Sequence, residues 1–110
     1  MLQLVYLVDI DNTICLTKNG DYANSHPLED RIAKINKLYN DGHTIIYFTA
    51  RGMGRTSNNV QQATDLFYEL TEIQLKKWGA KYNKLLFGKP SCDIILDDKC
   101  IDLEGFFCEQ

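Results

Sequence analysis

Two aspartates, Asp9 and Asp11, stand one residue apart at the end of the apolar run Leu4-Val5-Tyr6-Leu7-Val8, and Asn12-Thr13 follows them. A second apolar run ends at Thr49, with Ala50 and Arg51 next. Lys89 lies in Gly88-Lys89-Pro90, and Ile94-Ile95-Leu96 ends in Asp97-Asp98. Carboxylates gathered in one crevice repel one another unless a cation sits among them. Aspartates without clustered His or Cys suit a hard, oxygen-preferring ion, and Mg²⁺ is the expected one. Lys89 and Arg51 would meet the charge of phosphate oxygens, and Thr49 would add a hydroxyl. The chemistry these residue types fit is reaction at a phosphate group with a divalent metal.

The elements that carry them can be read from pattern. Residues 4–9 form a nearly continuous apolar run, too short for a helix, which predicts a buried parallel strand. A spacing of two on extended chain puts the Asp9 and Asp11 side chains on one face. Asn19-Gly20, between Ile14–Thr17 and Tyr22, is a hairpin signal and predicts a small flap over the strand end. A helix is expected from Pro27, with Glu29-Asp30 in its first turn, to about Asn40. Thr44–Thr49 predicts the second strand. A polar loop, Ala50–Asn58, precedes a longer helix from Asn59 to Trp78, whose buried side is expected to carry Val60, Ala63, Leu66-Phe67, Leu70, Ile73 and Trp78. Tyr82–Phe87 and Asp93–Leu96 predict a third and a fourth strand. This order predicts a three-layer α/β/α, Rossmann-like domain over residues 1–110, with a central parallel sheet. In such a sheet all the strand ends share one edge, where open α/β sheets place their sites. Asp9, Asp11, Thr49, Asp97 and Asp98 are thus expected to converge.

Bulk properties narrow the partners. The chain has 110 residues, is 45% hydrophobic and 25% charged, and carries a net charge of −3, so it has material for one core and no broad basic surface. Nucleic acid is a disfavoured partner on that ground. The first residues lack a basic region, and Asp9 interrupts the apolar run, so neither a signal peptide nor a membrane span is expected. Four cysteines without a CxxC pair, and two histidines, make no zinc pattern; reduced thiols in a cytoplasmic protein are the expectation.

The segment Asp9-Ile10-Asp11-Asn12-Thr13 resembles the DxDxT motif of the haloacid dehalogenase superfamily. Thr49, Lys89 in Gly-Lys-Pro, and Asp97-Asp98 resemble its second, third and fourth motifs, in order and at strand ends. Thr49-Ala50-Arg51-Gly52-Met53 and the Gly-Lys-Pro…Asp-Asp-Lys segments look more narrowly like the small phosphatases found with capsule and surface-polysaccharide biosynthesis. The resemblance implies an aspartyl-phosphate mechanism, with Asp9 as nucleophile and Asp11 as general acid, then base. It implies Mg²⁺ on Asp9, on the backbone carbonyl of Asp11, and on Asp98 more directly than Asp97. It implies Thr49, Ala50, Arg51, Arg55 and Lys89 around a small phosphorylated metabolite, such as a sugar or polyol phosphate. Lys84 is a poorer candidate than Lys89 for the lysine role.

Neither gap between the motifs holds a cap domain, so the expected site is open. Short open-site relatives oligomerise, and Phe106-Phe107 suit either a cover for the sheet edge or a contact between copies. Two other functions compete: a polynucleotide 3′-phosphatase, which shares the DxDxT and Arg-after-Thr layout, and a non-catalytic partner of a nucleotidyltransferase. Cys15 reads as a packed thiol, and His26 and His43 as surface or capping residues.

Overall fold

The computed structural model describes residues 2–108. Its centre is a parallel three-stranded sheet in which β1 (Val5–Val8) and β5 (Lys84–Phe87) flank β4 (Thr44–Thr49). The register sets Val8 beside Tyr47 and Thr49 beside Phe87, so these strands end along one edge. Helix α1 (Glu29–Asn40) links β1 to β4, and α2 (Val60–Lys77) links β4 to β5. Both connections step the same way across the sheet, and right-handed crossovers then put both helices on one face. The contacts agree. Ile32 and Ile35 of α1 and Leu75 of α2 join Ile45, Tyr47 and Leu85 in one buried cluster, and the Asn36 amide on α1 donates to the Gly79 carbonyl just after α2.

The strands alternate accordingly. On β4, Ile45, Tyr47 and Thr49 are buried beneath the helices, while Thr44, Ile46 and Phe48 on the other side are half-buried. On β1, Val8 is buried, whereas Val5 and Leu7 are 69% and 62% exposed. One face of the sheet is therefore packed and the other is uncovered. The three-layer expectation is corrected to two layers within one chain.

The fourth strand is also corrected. Residues 93–97 adopt no regular element, and Ile94 and Leu96 are 76% and 93% exposed. Only residues 88–92 separate Phe87 from Asp93. A parallel strand must start back at the opposite edge of the sheet, which takes a crossover of about a dozen residues. The apolar run was legible as a strand; the shortness of its connection is what keeps it off the sheet.

Smaller elements differ in detail. Asn19 and Gly20 have φ of 53° and 69°, and Asp21 N–H donates to Lys18 C=O, so the expected turn forms. The pairing runs between β2 (Cys15–Leu16) and β3 (His26–Pro27), not back to Tyr22, which opens a short 3₁₀ turn (Tyr22–Asn24). Pro27 thus ends a strand and α1 begins two residues later. On α2 the Asn59 side chain caps by accepting from Gln62 N–H, but Val60, Leu66 and Ile73 are exposed. Thr71 and Gln74 take buried places instead, for a reason that lies in the site. The C-terminal helix α3 (Leu103–Cys108) packs beside β1 and α1: Phe106 meets Tyr6, Arg31 stacks on Phe107, and Arg31 pairs with Glu104 at 3.1 Å.

The Tyr47 hydroxyl is buried at the centre of β4 with no hydrogen-bond partner among the described residues. Burial alone pushes its ionisation well above the ordinary tyrosine range. A buried polar group left unpaired costs stability that Phe would not cost. Tyr47→Phe is expected to raise the free energy of unfolding by about 1 kcal/mol, read as a higher urea midpoint at unchanged slope.

Candidate active site

The chain leaves β1 through a tight turn that fixes both aspartates. Thr13 N–H and Ile14 N–H both donate to the Ile10 carbonyl, and Asn12, at φ 62°, takes the left-handed conformation that asparagine tolerates. Ile10 and Ile14 are fully buried and anchor the turn. Asp9 and Asp11 are left half-buried at the sheet edge, lining a cleft of about 990 Å³ with Tyr22, Arg55, Lys89 and Asp93.

Each aspartate has its own cation. Lys89 Nζ lies 3.0 Å from Asp9 Oδ1, while Thr13 Oγ1 donates to Asp9 Oδ2 at 2.9 Å. Lys89 is placed by its backbone, whose N–H donates to the Thr49 carbonyl just past the end of β5. Arg51 grips Asp11 with two nitrogens: Nη2 reaches Oδ1 and Nε reaches Oδ2, both at 3.0 Å. Thr17 Oγ1 also donates to Asp11 Oδ1, at 2.6 Å. Oδ1 therefore takes more donors than Oδ2, which accepts from Arg51 Nε.

Arg51 is the most constrained side chain in the site. It is 1% exposed, donates from Nη1 to Thr71 Oγ1 and Gln74 Oε1, and stacks on the Tyr22 ring at 4.9 Å. A buried guanidinium needs every N–H paired, which explains the polar residues on the inner side of α2. Gln74 is itself oriented by donating to the Tyr22 carbonyl. Its place behind Asp11 makes Arg51 a holder of that carboxylate; the sequence reading had set it against substrate oxygens. Thr71, Gln74, Thr17 and Tyr22 were not singled out from sequence. A signal was present, in two polar residues three apart interrupting an apolar stripe.

Thr49, at the end of β4, is fully buried and does not line the cleft; its Oγ1 accepts from Arg51 N–H at 3.1 Å. Ala50 does line it. Arg55 stands at the mouth, donating to the Gly20 carbonyl and stacked over Phe67 at 4.8 Å. Lys84 begins β5 at the far edge of the sheet and is exposed. Gly52, at φ 78°, lies so close to α2 that a Cβ would meet Phe67 at 2.8 Å and Ala63 at 3.1 Å. Gly52→Ala is expected to cost about 1–3 kcal/mol, measurable by urea unfolding, because it adds strain and a clash beside Arg51.

Asp97 and Asp98 are not brought to the cleft, which corrects the expected convergence of all the strand-end aspartates. They form an exposed turn: Lys99 N–H donates to Asp97 and Lys99 Nζ lies 3.4 Å from Asp98. That backbone N–H holds the Asp97 carboxyl below its usual range. Among the described residues no group of three or more His, Cys, Asp or Glu could hold a metal. Asp9 and Asp11 are each engaged by a cation. Of the expected Mg²⁺ ligands, Asp9 and Asp11 line the cleft and Asp97 and Asp98 do not. Cys15, buried under the turn, has its thiol pushed up chiefly by burial, as a packed thiol would. No helix among the described residues is long and apolar enough to cross a membrane.

No family model matches the chain, and no curated protein does. A solved structure is similar: the crystal structure of a structural-genomics target from Vibrio cholerae, at 26% identity and a TM-score of 0.89, covering 99% of this chain and 90% of that one. It supports the α/β fold described above.

Proposed function

We propose that this chain is a phosphatase that hydrolyses a small phosphomonoester, such as a sugar or polyol phosphate, through an aspartyl-phosphate. One observation carries the reading. Asp9 and Asp11 stand together in a cleft at the C-terminal end of a parallel strand, each held by its own partners, with Lys89 on the first and Arg51 on the second. The DxDxT resemblance of Asp9–Thr13 supports it. The likeness to capsule and surface-polysaccharide phosphatases suggests where such a substrate would come from.

In this reading the incoming phosphoryl group draws Lys89 towards its oxygens and frees Asp9 Oδ1. That oxygen attacks phosphorus in line, the bond to the leaving oxygen breaks, and Asp11, which enters this step as the carboxylic acid, gives its proton to the leaving oxygen and becomes the carboxylate that Arg51 holds. Water then attacks the aspartyl-phosphate, Asp11 takes back a proton, and the bond to Asp9 breaks to release inorganic phosphate. Arg51 keeps Asp11 in place throughout. Lys89 and Arg55 meet the substrate's charge, and most of the rate comes from such positioning and charge neutralisation.

The test is a panel of sugar, polyol and nucleoside phosphates beside a 3′-phosphorylated oligonucleotide, with released phosphate as the readout, with and without Mg²⁺. Turnover of small monoesters above the oligonucleotide is expected. Preference for the oligonucleotide would favour the 3′-end-processing alternative, and no hydrolysis of any ester would favour a non-catalytic binding module.

A further inference from the structure

Two parts of this chain lack what the other offers. The sheet ends at β1 and at β5, each bonded to β4 alone, so both edges are open, with Val5 and Leu7 bare at the β1 end. The segment Ile94-Ile95-Leu96 is apolar, exposed and in no regular element, with Ile95 at the cleft, and it pairs with no strand of the sheet. Open edges and exposed apolar β-branched runs are features that proteins otherwise cover. From this juxtaposition we propose that two copies exchange their C-terminal segments, each laying residues 93–98 along the other's β1 as a fourth parallel strand.

Chain length is the reason the occupant is a second copy. Phe87 ends at the site edge of the sheet, and a strand parallel to β1 must begin at the opposite edge. The start lies three strand spacings and one six-residue strand length away, a diagonal of roughly 22 Å. Six residue steps reach about 20 Å when fully stretched, short of that span even before passing around packed side chains. The chain therefore cannot supply this strand to itself. A partner's segment, arriving from outside, has no such limit.

The position of α3 selects the β1 edge. Leu103 lines the cleft at the site edge, and Phe106 lies against Tyr6 of β1. A strand beside β1 would finish at that same site edge, and residues 99–102 would lead straight into α3 in its observed seat. Exchange then replaces each chain's own α3 by its partner's, with the Glu104–Arg31 pair and the Phe106 and Phe107 contacts retained. The strand pairing is the gain, which is how exchange of an identical element makes a dimer at low cost.

The exchange has a consequence for the site, which rests on the phosphatase reading. The new strand ends at the partner's Asp97 and the partner's Asp98, beside Asp9. Those carboxylates, absent from the cleft of one chain, would then stand in the cleft of its partner.

Light scattering on the purified chain tests the exchange without any activity. A mass of twice 12.7 kDa is expected. Ile94→Lys with Leu96→Lys, two residues exposed in the single chain, should return it to one chain with its helical circular dichroism retained. A single-chain mass at tens of micromolar, or a dimer indifferent to the double substitution, overturns the proposal.

Coexpression of Asp9→Asn with Asp97→Asn/Asp98→Asn tests the shared site. Each variant alone should be inactive, and the mixed dimers should regain roughly a quarter of wild-type turnover, since half of all dimers carry one intact site of two. Full activity of the Asp97→Asn/Asp98→Asn chain alone, or no recovery on mixing, overturns the shared site. If the wild type hydrolyses nothing, the phosphatase reading fails and the mass measurement still decides the exchange.

Discussion

Asp9→Asn is expected to lower hydrolysis of the best phosphomonoester by roughly 10⁴-fold or more, with the fold intact. The amide keeps the shape and can still accept from Thr13 Oγ1, so the turn at Ile10–Ile14 is preserved. What is lost is the anionic oxygen that would bond to phosphorus, and with it the charge that holds Lys89 at 3.0 Å. Removing a nucleophile removes a whole step, so its effect is of the size seen when catalytic units are broken. Initial rates of phosphate release, with circular dichroism on the same sample, check it. Wild-type turnover in the pure variant would mean that Asp9 is not the nucleophile.

Arg51→Met is the substitution with the largest expected effect on stability. Methionine fills much of the space but leaves Asp11 facing Thr17 without its cation, and leaves Thr71 and Gln74 without their donor. Breaking one side of a buried ion pair costs about 3–5 kcal/mol. Most of that cost comes from the partners left behind, so Asp11→Asn in the same chain should restore part of it. Urea unfolding of the two single variants and the double variant gives the coupling. Additive losses would mean that Asp11 and Arg51 do not act as a unit.

These two residues also show what could be read before the structure was seen. Asp9 was legible because an apolar strand ending in acids is costly unless those acids have partners. Its partner Lys89 was legible from the turn that carries it. Arg51 was noticed, but its direction was not. An arginine two residues past a strand can face solvent, substrate or core, and the choice here is made by Thr71 and Gln74, twenty or more residues away on α2. Long-range polar pairing of that kind leaves little periodic trace.

The two long helices and the three paired strands formed where their patterns put them, but α2 exposes Val60, Leu66 and Ile73, and β1 is buried on one face only. The fourth strand did not, because pattern reports what a segment would bury and says nothing about whether its connection is long enough. Five linking residues decide the matter. The layer count failed for the same reason, since a covering layer on the second face would need a crossover that the chain does not contain.

The aspartyl-phosphate mechanism requires that phosphorus bond to Asp9. The direct measurement is mass spectrometry of peptides from an acid-quenched turnover mixture. A peptide containing Asp9 is expected to gain the mass of one phosphoryl group, with fragmentation placing it on Asp9 and the gain absent from Asp9→Asn. A wild-type enzyme that releases phosphate in steady turnover while Asp9 stays unmodified at every quench time would contradict it.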